Sequence, residues 1–341
     1  MKYLVTGACG FTGSHLVDIL TERGLDFRAT DLEGADRCFL PDCAEFIPSD
    51  LTEIDSLRRV LEGVDVVFHT AALFNFSAPK DLLNKVNVEG MENLCRACIE
   101  AGVKRLVSWS TCGVYGRPKF TAKIYEDTPR KPMEDYSRSK HKQDIIAHRY
   151  HSEHGLPVTI VRPGVVYGPR SKYGFMHIIE TFAMLHIIPV PVNFHYHMSP
   201  VHARDVGGAA LHLSSIQEAV GEEYQVVDCS EITMTNLFYF LAAVLEKPTV
   251  PVYLPPRLAA FWGRLAAEIS DVASRITGKP PLLEKAPIYY FPLDLDVSNE
   301  KLLATGYKME YPDVRLGLIE TIEWLREQGR LNVSLLQKLT A

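Results

Sequence analysis

The chain has 341 residues, of which 47% are hydrophobic and 23% are charged, and its formal net charge is -6. This composition is typical of a globular protein with one large core and an appended lobe, and the acidic balance argues against a nucleic-acid binder, which needs a basic face. Seven scattered cysteines and the opening "MKYLVTGA", without a basic leader and an apolar segment, argue against secretion, so we expect a cytoplasmic protein.

Short apolar runs alternate with helical patterns in the first half of the chain, as in a parallel sheet covered by helices. We predict strands at 2–6, 27–31, 45–48, 64–69, 105–109 and 158–162. We predict helices near 12–23, 53–61, 81–101 and 134–154. The predicted fold class is α/β, a doubly wound parallel sheet (Rossmann) with a smaller C-terminal substrate-binding lobe. The dinucleotide-binding domain is assigned to 1–168, with 204–229 returning to it, and the lobe to 169–203 and 230–341.

Three glycines lie between the first predicted strand and the first predicted helix, in "YLVTGACGFTGSHLVDIL". Gly7, Gly10 and Gly13 would allow a tight turn and a close approach of the backbone to a pyrophosphate at the helix N-terminus. The spacing is Gly-x-x-Gly-x-x-Gly, and glycines also end strands for structural reasons alone. The position between strand and helix favours a dinucleotide-binding loop.

Asp31 ends the second predicted strand, where a carboxylate can accept hydrogen bonds from an adenosine ribose and would repel a 2′-phosphate. We therefore predict NAD as the cofactor. NADP is less favoured, but the nearby Arg28 and Arg37 keep it open, and Asp31 could instead be a plain turn residue. Asp50 follows the third strand and could meet the adenine ring, and the small residues of "FHTAA", 68–72, would let a cofactor lie across the sheet.

Tyr136 and Lys140 stand four positions apart in "EDYSRSKHKQ". On a helix they would share a face, and an ammonium group favours the phenolate that a general base requires. The same spacing also arises by chance between two surface side chains. Thr111, at the end of the strand in "LVSWSTCGVYG", could bond a substrate oxygen while Tyr136 takes its proton. The alternative is that Ser108, Ser110 and Thr111 are strand-end and turn residues.

In combination, these motifs resemble the extended short-chain dehydrogenase/reductase family over essentially the full chain. "TGACGFTG", "HTAA", "STCGVYG", "YSRSK", "RPGVVYGP" and "VHARDV" occur in that family's order and approximate spacing. The resemblance implies that Thr111, Tyr136 and Lys140 are the catalytic residues. It also implies that Asn87 helps to order the active site, with a helix-surface amide as the alternative, and that the backbone of "RPGVV" contacts the nicotinamide.

The predicted cofactor site combines the glycine loop, the carboxyl ends of the strands and the catalytic helix. Its residues are Gly7, Gly10, Phe11, Thr12, Gly13, Asp31, Asp50, Leu51, Thr70, Ala71, Ala72, Asn87, Ser110, Tyr136, Lys140, Pro163, Gly164 and Val166. The predicted substrate contacts are Phe74, Thr111, Gly113 and Val165.

Two positions bear on the substrate. Family members that act on nucleotide sugars typically have Asn and Arg where this chain has Val165 and Met198. Burial of a diphosphate without these partners is unfavourable, so the resemblance implies a less polar substrate. The chain is more similar to the branch with 3β-hydroxysteroid dehydrogenases, sterol-4-carboxylate dehydrogenases and dihydroflavonol reductases. We therefore expect an NAD-dependent oxidoreductase that interconverts a secondary alcohol and a ketone on a hydrophobic, sterol-like small molecule. A nucleotide-sugar epimerase or dehydratase and a non-catalytic NAD-sensing protein stay open as alternatives.

The segment 256–276 places large apolar residues on one helical face: Leu258, Phe261, Trp262, Leu265, Ile269, Val272 and Ile276. We interpret it as a helix that packs by this face on the second lobe, with a lid or a peripheral membrane contact as the alternative.

No apolar stretch approaches the roughly 20 residues of a membrane span. His195, His197 and His202 lack a complete ligand set, so we predict no metal site. The resemblance implies a homodimer formed by helices 81–101 and 134–154.

Overall fold

Seven parallel strands form the central sheet of the computed structural model, which describes residues 1–116, 123–277 and 295–331. The described strands are β1 (Tyr3–Thr6), β2 (Phe27–Thr30), β3 (Glu45–Phe46), β4 (Val66–His69), β5 (Arg105–Trp109), β6 (Val158–Pro163), β7 (Val165–Tyr167), β8 (Ile188–Pro191), β9 (Pro200–His202), β10 (Glu223–Val226) and β11 (Thr249–Val252). The order across the sheet is β10-β6-β5-β4-β1-β2-β3. The predicted doubly wound α/β fold is therefore confirmed.

The helices fall between these strands, as the alternating pattern predicts. They are α1 (Phe11–Glu22), α2 (Ile54–Leu61), α3 (Lys80–Leu83), α4 (Gly90–Glu100), α5 (Asp135–His154), α6 (Phe175–Met184), α7 (Ala203–Ser214), α8 (Met234–Val244), α9 (Pro256–Thr277), α10 (Glu300–Ala304) and α11 (Val314–Glu327). A π-helical segment, Asn84–Glu89, joins α3 to α4. The single helix predicted at 81–101 is therefore continuous but wider in the middle, a feature often found at functional sites.

Alternate residues of the central strands face opposite sides of the sheet. Val5, Phe68 and Val107 pack in one apolar core with residues of α1 and α7. Leu4 and Val67, each one position earlier on its strand, pack in a second core with residues of α2, α4 and α5. The inner strands are therefore buried on both faces, which explains why they appear in the sequence as continuous apolar runs.

The strand order reverses at β1, which lies between β2 and β4. In open α/β sheets, ligands bind in the crevice at the carboxyl ends of the strands where this reversal occurs. Gly7 follows β1 at this point and Thr70 follows β4. The hydroxyl of Thr70 donates a hydrogen bond to the carbonyl oxygen of Thr6 over 2.6 Å, which ties the two strand ends together.

A third apolar core lies in the second lobe. Its buried residues come mainly from α6, β8, α8 and α11, and β8 pairs with β11 in a separate two-stranded sheet.

The predicted domain boundaries stay a prediction. Residues 278–294 and 332–341 of the predicted lobe lie outside the described residues. Within the part of the chain that the structure describes, no helix combines the length and the apolar character needed to cross a bilayer.

The helix α9 packs by the opposite face to the one predicted. The side chains of Leu258, Phe261, Trp262, Leu265, Ile269 and Val272 are all exposed, with fractional exposures between 41% and 62%. Ala267, on the other side of the helix, is buried. The prediction that the apolar face packs on the lobe is therefore wrong. The pattern identifies two faces correctly, but the small residue faces the protein and the large apolar residues face outward.

Candidate active site

The glycine loop forms a tight cradle at the sheet crevice. Gly7 has a φ of +69°, and a Cβ atom there would lie 2.7 Å from the backbone of Ala71. A Cβ atom at Gly13 would lie 2.1 Å from the carbonyl oxygen of Gly7. Both positions therefore require glycine. Gly10 precedes α1 and brings no side-chain cap, which leaves amide groups of the first turn, at Phe11 and Thr12, for an anionic ligand.

Asp31 lies beside this loop, as the sequence predicts. Its Oδ2 accepts a hydrogen bond from the backbone N–H of Cys9 over 3.1 Å, and its Oδ1 accepts one from Leu32 over 2.8 Å. The carboxylate is half-buried at the carboxyl end of β2. The glycine cradle, the amide groups of α1 and this carboxylate fit the pyrophosphate and ribose of a dinucleotide.

Arg28 and Arg37, the two arginines near Asp31 that left NADP as an alternative cofactor, have different surroundings. Arg28 is buried and donates hydrogen bonds to the carbonyl oxygens of Val60 and Glu62, at 2.7 and 3.0 Å, and to the Glu45 carboxylate at 2.9 Å. It is therefore committed to the interior. The guanidinium of Arg37 stacks on the ring of Phe46, 3.8 Å from the ring centre.

Further predicted cofactor residues surround the same crevice. The Oδ1 of Asp50 accepts hydrogen bonds from the N–H and hydroxyl of Thr52, both at 2.8 Å, and Leu51 is buried. Ala71 and Ala72 are half-buried beside the glycine loop. The roles of these residues in cofactor binding stay predictions.

Asn87 connects the loop after β4 to α5. Its Oδ1 accepts a hydrogen bond from the N–H of Leu73 over 2.8 Å, and its Nδ2 donates to the carbonyl of Leu73 at 3.2 Å and to Ser139 Oγ at 3.0 Å. Asn87 is buried within the π-helical segment, so it is not the helix-surface amide of the alternative interpretation. Its amide orders the loop that carries Phe74.

Phe74 and Phe76 pack against the ring of Tyr136, and Tyr173 packs against Phe74. Phe74 contacts Tyr136 and Tyr173 edge-on, with ring centres 5.0 and 4.8 Å apart. Phe76 contacts Tyr136 at 5.4 Å and Phe74 at 5.1 Å. We call Phe74, Phe76, Tyr136 and Tyr173 the aromatic cluster. Phe74 was predicted as a substrate contact, whereas Phe76 and Tyr173 were missed because their two loops come together only in the fold.

Lys140 is buried one helical turn after Tyr136. Burial lowers the pKa of its ammonium group to about 8, and the field of Asp144 opposes this effect. Nζ donates a hydrogen bond to Oε1 of Gln143 over 2.6 Å. Because Tyr136 is also buried, the alternative of two surface side chains aligned by chance is wrong for this pair.

A buried ionic network lies behind Lys140. Arg162, which is fully buried in β6, forms ion pairs with Asp144 and Glu223, and Asp144 Oδ2 also accepts a hydrogen bond from Ser110 Oγ over 2.8 Å. The hydroxyl of Ser110, a predicted cofactor contact, is therefore directed into this network. Sequence analysis missed Asp144 and Arg162. The available signal was an Asp four residues after Lys140 and an Arg inside an apolar strand.

Further predicted substrate residues lie in the segments after β5 and β6. Oγ1 of Thr111 accepts a hydrogen bond from the N–H of Gly113 over 3.1 Å. Gly164 donates its N–H to the carbonyl of Val226 at 3.1 Å, next to the buried Pro163, and Val166 follows in β7. Val165 and Met198 are half-buried against the apolar core of the second lobe.

The three histidines of the second lobe do not share an environment. His202 is fully buried, with Nε2 3.2 Å from an Oε2 of Glu320. His195 and His197 precede β9 in a loop. Among the described residues, no group of three or more His, Cys, Asp or Glu side chains is arranged to hold a metal ion.

These contacts place a phenol, a buried ammonium group and a hydroxyl residue at one edge of the sheet. The Gln143 amide joins Lys140 to the backbone of Trp109, two residues before Thr111, so α5 is held against the end of β5. Tyr136, Lys140 and Thr111 thus bring a phenol, an ammonium group and a hydroxyl to the edge of the sheet that also carries the glycine loop. This set suits proton transfer coupled to hydride transfer.

Comparisons with known proteins identify the family of this chain. The model of the NAD dependent epimerase/dehydratase family matches residues 3–226. Sterol demethylase protein B of Methylococcus capsulatus is 31% identical over 273 residues, which are 76% of this chain and 79% of that protein. The N-acetyl-alpha-D-glucosaminyl-diphospho-ditrans,octacis-undecaprenol 4-epimerase of Escherichia coli O157:H7 is 25% identical over 325 residues, 94% of each protein.

A solved structure extends the likeness to the fold as a whole. UDP-glucose 4-epimerase of Thermus thermophilus, crystallised with NAD, superimposes with a TM-score of 0.72 at 24% identity, covering 96% of this chain and 99% of that one. At this identity the match concerns the fold. The matched motifs, the family model and the relative at 31% identity together show that the chain belongs to the NAD dependent epimerase/dehydratase family, within the extended short-chain dehydrogenases/reductases.

Proposed function

We propose that the protein is an NAD-dependent oxidoreductase that interconverts a secondary alcohol and a ketone on a hydrophobic, sterol-like substrate. The observation that carries this proposal is the aromatic cluster around Tyr136. Phe74 and Tyr173 are each more than a third exposed, so the cluster that packs on the buried Tyr136 presents ring surface to solvent. Aromatic faces bury large apolar area and suit a flat hydrophobic skeleton better than a sugar diphosphate.

The remaining substrate positions support the same substrate class. Val165 and Met198 stand where sugar-nucleotide enzymes of the resembled family typically have Asn and Arg, and both lie against the apolar core of the second lobe. A diphosphate buried against these side chains would lose hydrogen-bond partners. The relative at 31% identity, sterol demethylase protein B, adds independent support for a sterol-like substrate.

The chain's residues have distinct roles in the proposed reaction. Tyr136 accepts the proton of the substrate hydroxyl, Lys140 stabilises the phenolate and has further N–H groups to bind a ribose, and Thr111 orients the substrate oxygen. NAD, when bound, supplies the oxidised nicotinamide ring that accepts hydride. Asp31 supports NAD over NADP because a carboxylate repels a 2′-phosphate. The reverse reduction uses the same groups.

A screen of alcohols tests the proposal. The purified protein is incubated with NAD and a panel of cyclic apolar secondary alcohols, including sterols, and formation of NADH is followed by absorbance. We expect turnover of apolar alcohols, and we expect Phe74→Ala to raise KM at least several-fold for a polycyclic alcohol but much less for cyclohexanol. Tyr253→Ala serves as the control, since Tyr253 is an exposed aromatic residue outside the cluster.

The relatives also favour a second candidate, a sugar epimerase. The undecaprenol-linked 4-epimerase of Escherichia coli O157:H7 covers 94% of this chain, more than sterol demethylase protein B does. The same incubations therefore include UDP-glucose and UDP-N-acetylglucosamine, with the 4-epimers measured by chromatography. Epimerisation of a UDP-sugar, without oxidation of any apolar alcohol, would replace the proposed function with this one.

A further inference from the structure

Gln143 lies on α5 three residues after Lys140 and is fully buried. Its Oε1 accepts the hydrogen bond from Lys140 Nζ at 2.6 Å. Its Nε2 donates to Ser108 Oγ at 2.8 Å and to the carbonyl oxygen of Trp109 at 3.1 Å. One side-chain amide therefore connects the ammonium group to the end of β5.

The neighbours of Gln143 fix the orientation of its amide. The carbonyl of Trp109 can only accept a hydrogen bond, and the ammonium group of Lys140 can only donate one. The reverse orientation would place two carbonyl oxygens together and an NH2 group against an ammonium group. Oε1 is therefore held toward Lys140, and Nε2 toward the strand.

The hydrogen bond to Gln143 restricts the side chain of Lys140, whose four-carbon stem has many rotamers. A lysine ammonium carries three N–H groups on a flexible four-carbon stem, and one of them is used by Gln143. We infer that Gln143 is a positioning residue, which holds the ammonium group of Lys140 at a fixed place relative to Tyr136 and to Thr111 at the end of β5. The kinetic consequence of this inference rests on the proposed function, whereas the contact itself does not.

A neutral acceptor suits this role better than a carboxylate. Burial lowers the pKa of Lys140 to about 8, so the charged form of this side chain is less favoured than in water. A hydrogen bond to an amide carbonyl favours the charged form of the lysine. Unlike a carboxylate, the amide adds no negative charge that would oppose the phenolate of Tyr136.

A double-mutant cycle on the protein without substrate tests the contact. The variants are Gln143→Met, Lys140→Met and the double variant, and each is unfolded with urea at pH 7. In the Lys140→Met background Gln143 has already lost its donor, so we expect Gln143→Met to lower the urea midpoint clearly less there than in the wild-type background. An equal change in the two backgrounds would overturn the inference, because it shows no coupling between the side chains.

The pH profile of turnover tests the consequence, with whichever substrate the wild-type protein accepts. Loss of the acceptor in Gln143→Met lowers the pKa of Lys140, so the basic limb of the kcat profile moves to lower pH, and turnover at pH 8 falls roughly tenfold or more. Gln143→Glu moves the same limb to higher pH, because a carboxylate favours the ammonium form. A purely structural role would change the height of both profiles and leave the limbs in place.

Two further variants keep the result interpretable. Gln225→Met removes another fully buried glutamine amide, which donates to the Tyr115 hydroxyl at 2.9 Å, and it should destabilise the protein without moving either limb. If Gln143→Met does not fold, Ser108→Ala removes one of the two anchors of the amide and should shift the basic limb in the same direction by a smaller amount. An unmoved limb in a folded Gln143 or Ser108 variant contradicts the inference. Absence of any turnover in the wild type contradicts the proposed function. The double-mutant cycle then still tests the coupling between Lys140 and Gln143, because it needs no substrate.

Discussion

Two long helices of this protein bury opposite kinds of side chains. On α5, which is rich in charged residues and histidine, the buried set includes Tyr136, Lys140, Gln143 and Asp144. On α9, which is rich in apolar residues, the large apolar side chains are exposed and Ala267 is buried. Gln143 and Asp144 find partners on β5 and β6, and Lys140 bonds to Gln143 on the same helix. The burial of these polar groups is costly unless such partners are in place.

The comparison shows where stability and function separate in this fold. The buried polar side chains of α5 stand at the candidate active site, where they reduce stability in return for a positioned cation. The exposed apolar side chains of α9 contribute little to the stability of the single chain, because their area is not removed from water. The changes in the free energy of unfolding caused by substitutions on the two helices should therefore differ in size, in sign and in pH dependence.

The largest effect on stability is expected at Asp144. Asp144→Asn removes the charge of one carboxylate partner of the fully buried Arg162 and so breaks the ion pair in which both side chains are inaccessible to solvent. Breaking a buried pair from one side costs about 3 to 5 kcal/mol, measured by urea denaturation. Asp135→Asn on the same helix removes an exposed pair with Arg138 and should cost less than about 1 kcal/mol. Equal costs at the two positions would contradict the comparison.

Lys140→Met is expected to stabilise the protein. Burial lowers the pKa of Lys140 from 10.5 to about 8, so the protonated side chain costs the folded state up to about 3 kcal/mol at pH 7. The lost bond to Gln143 offsets part of the gain. Between pH 8 and 10.5 the unfolded chain holds more protons than the folded chain, so wild-type stability rises relative to the variant across this window. Urea midpoints at about pH 7, 9 and 10.5 check this, and a variant that is less stable at every pH would contradict it.

The smallest effect is expected on α9. Ile269 is 62% exposed, so Ile269→Ala should change the free energy of unfolding by less than about 0.5 kcal/mol. Ile179 on α6 is fully buried in the core of the second lobe, and the same substitution there should cost about 2 to 5 kcal/mol. A large loss at Ile269, measured at protein concentrations where the chain is monomeric, would show that the apolar face of α9 is buried within the chain.

Local sequence patterns predicted the central sheet well, because strands buried on both faces leave continuous apolar runs. The strand predicted at 27–31 is observed at Phe27–Thr30, and the helix predicted at 134–154 at Asp135–His154. A glycine at Gly7 was predicted to allow a tight turn between strand and helix, and its φ of +69° agrees with that turn.

Features that depend on contacts between distant segments were not predictable. Gln143 meets Trp109, Phe76 meets Tyr136 and Tyr173 meets Phe74 only after the loops and strands have assembled. The face of α9 could not be oriented either, because an amphipathic pattern separates two faces without showing which of them meets the protein.

Tyr136→Phe provides the most direct test of the central claim, that Tyr136 is the proton acceptor beside a bound dinucleotide. Reduction of NAD by an apolar secondary alcohol and binding of NADH by fluorescence are measured for both proteins. The expected result is a fall in turnover of roughly a hundredfold to ten-thousandfold, with NADH affinity within a few-fold of wild type. A phenylalanine variant that oxidises the alcohol at the wild-type rate would contradict the claim.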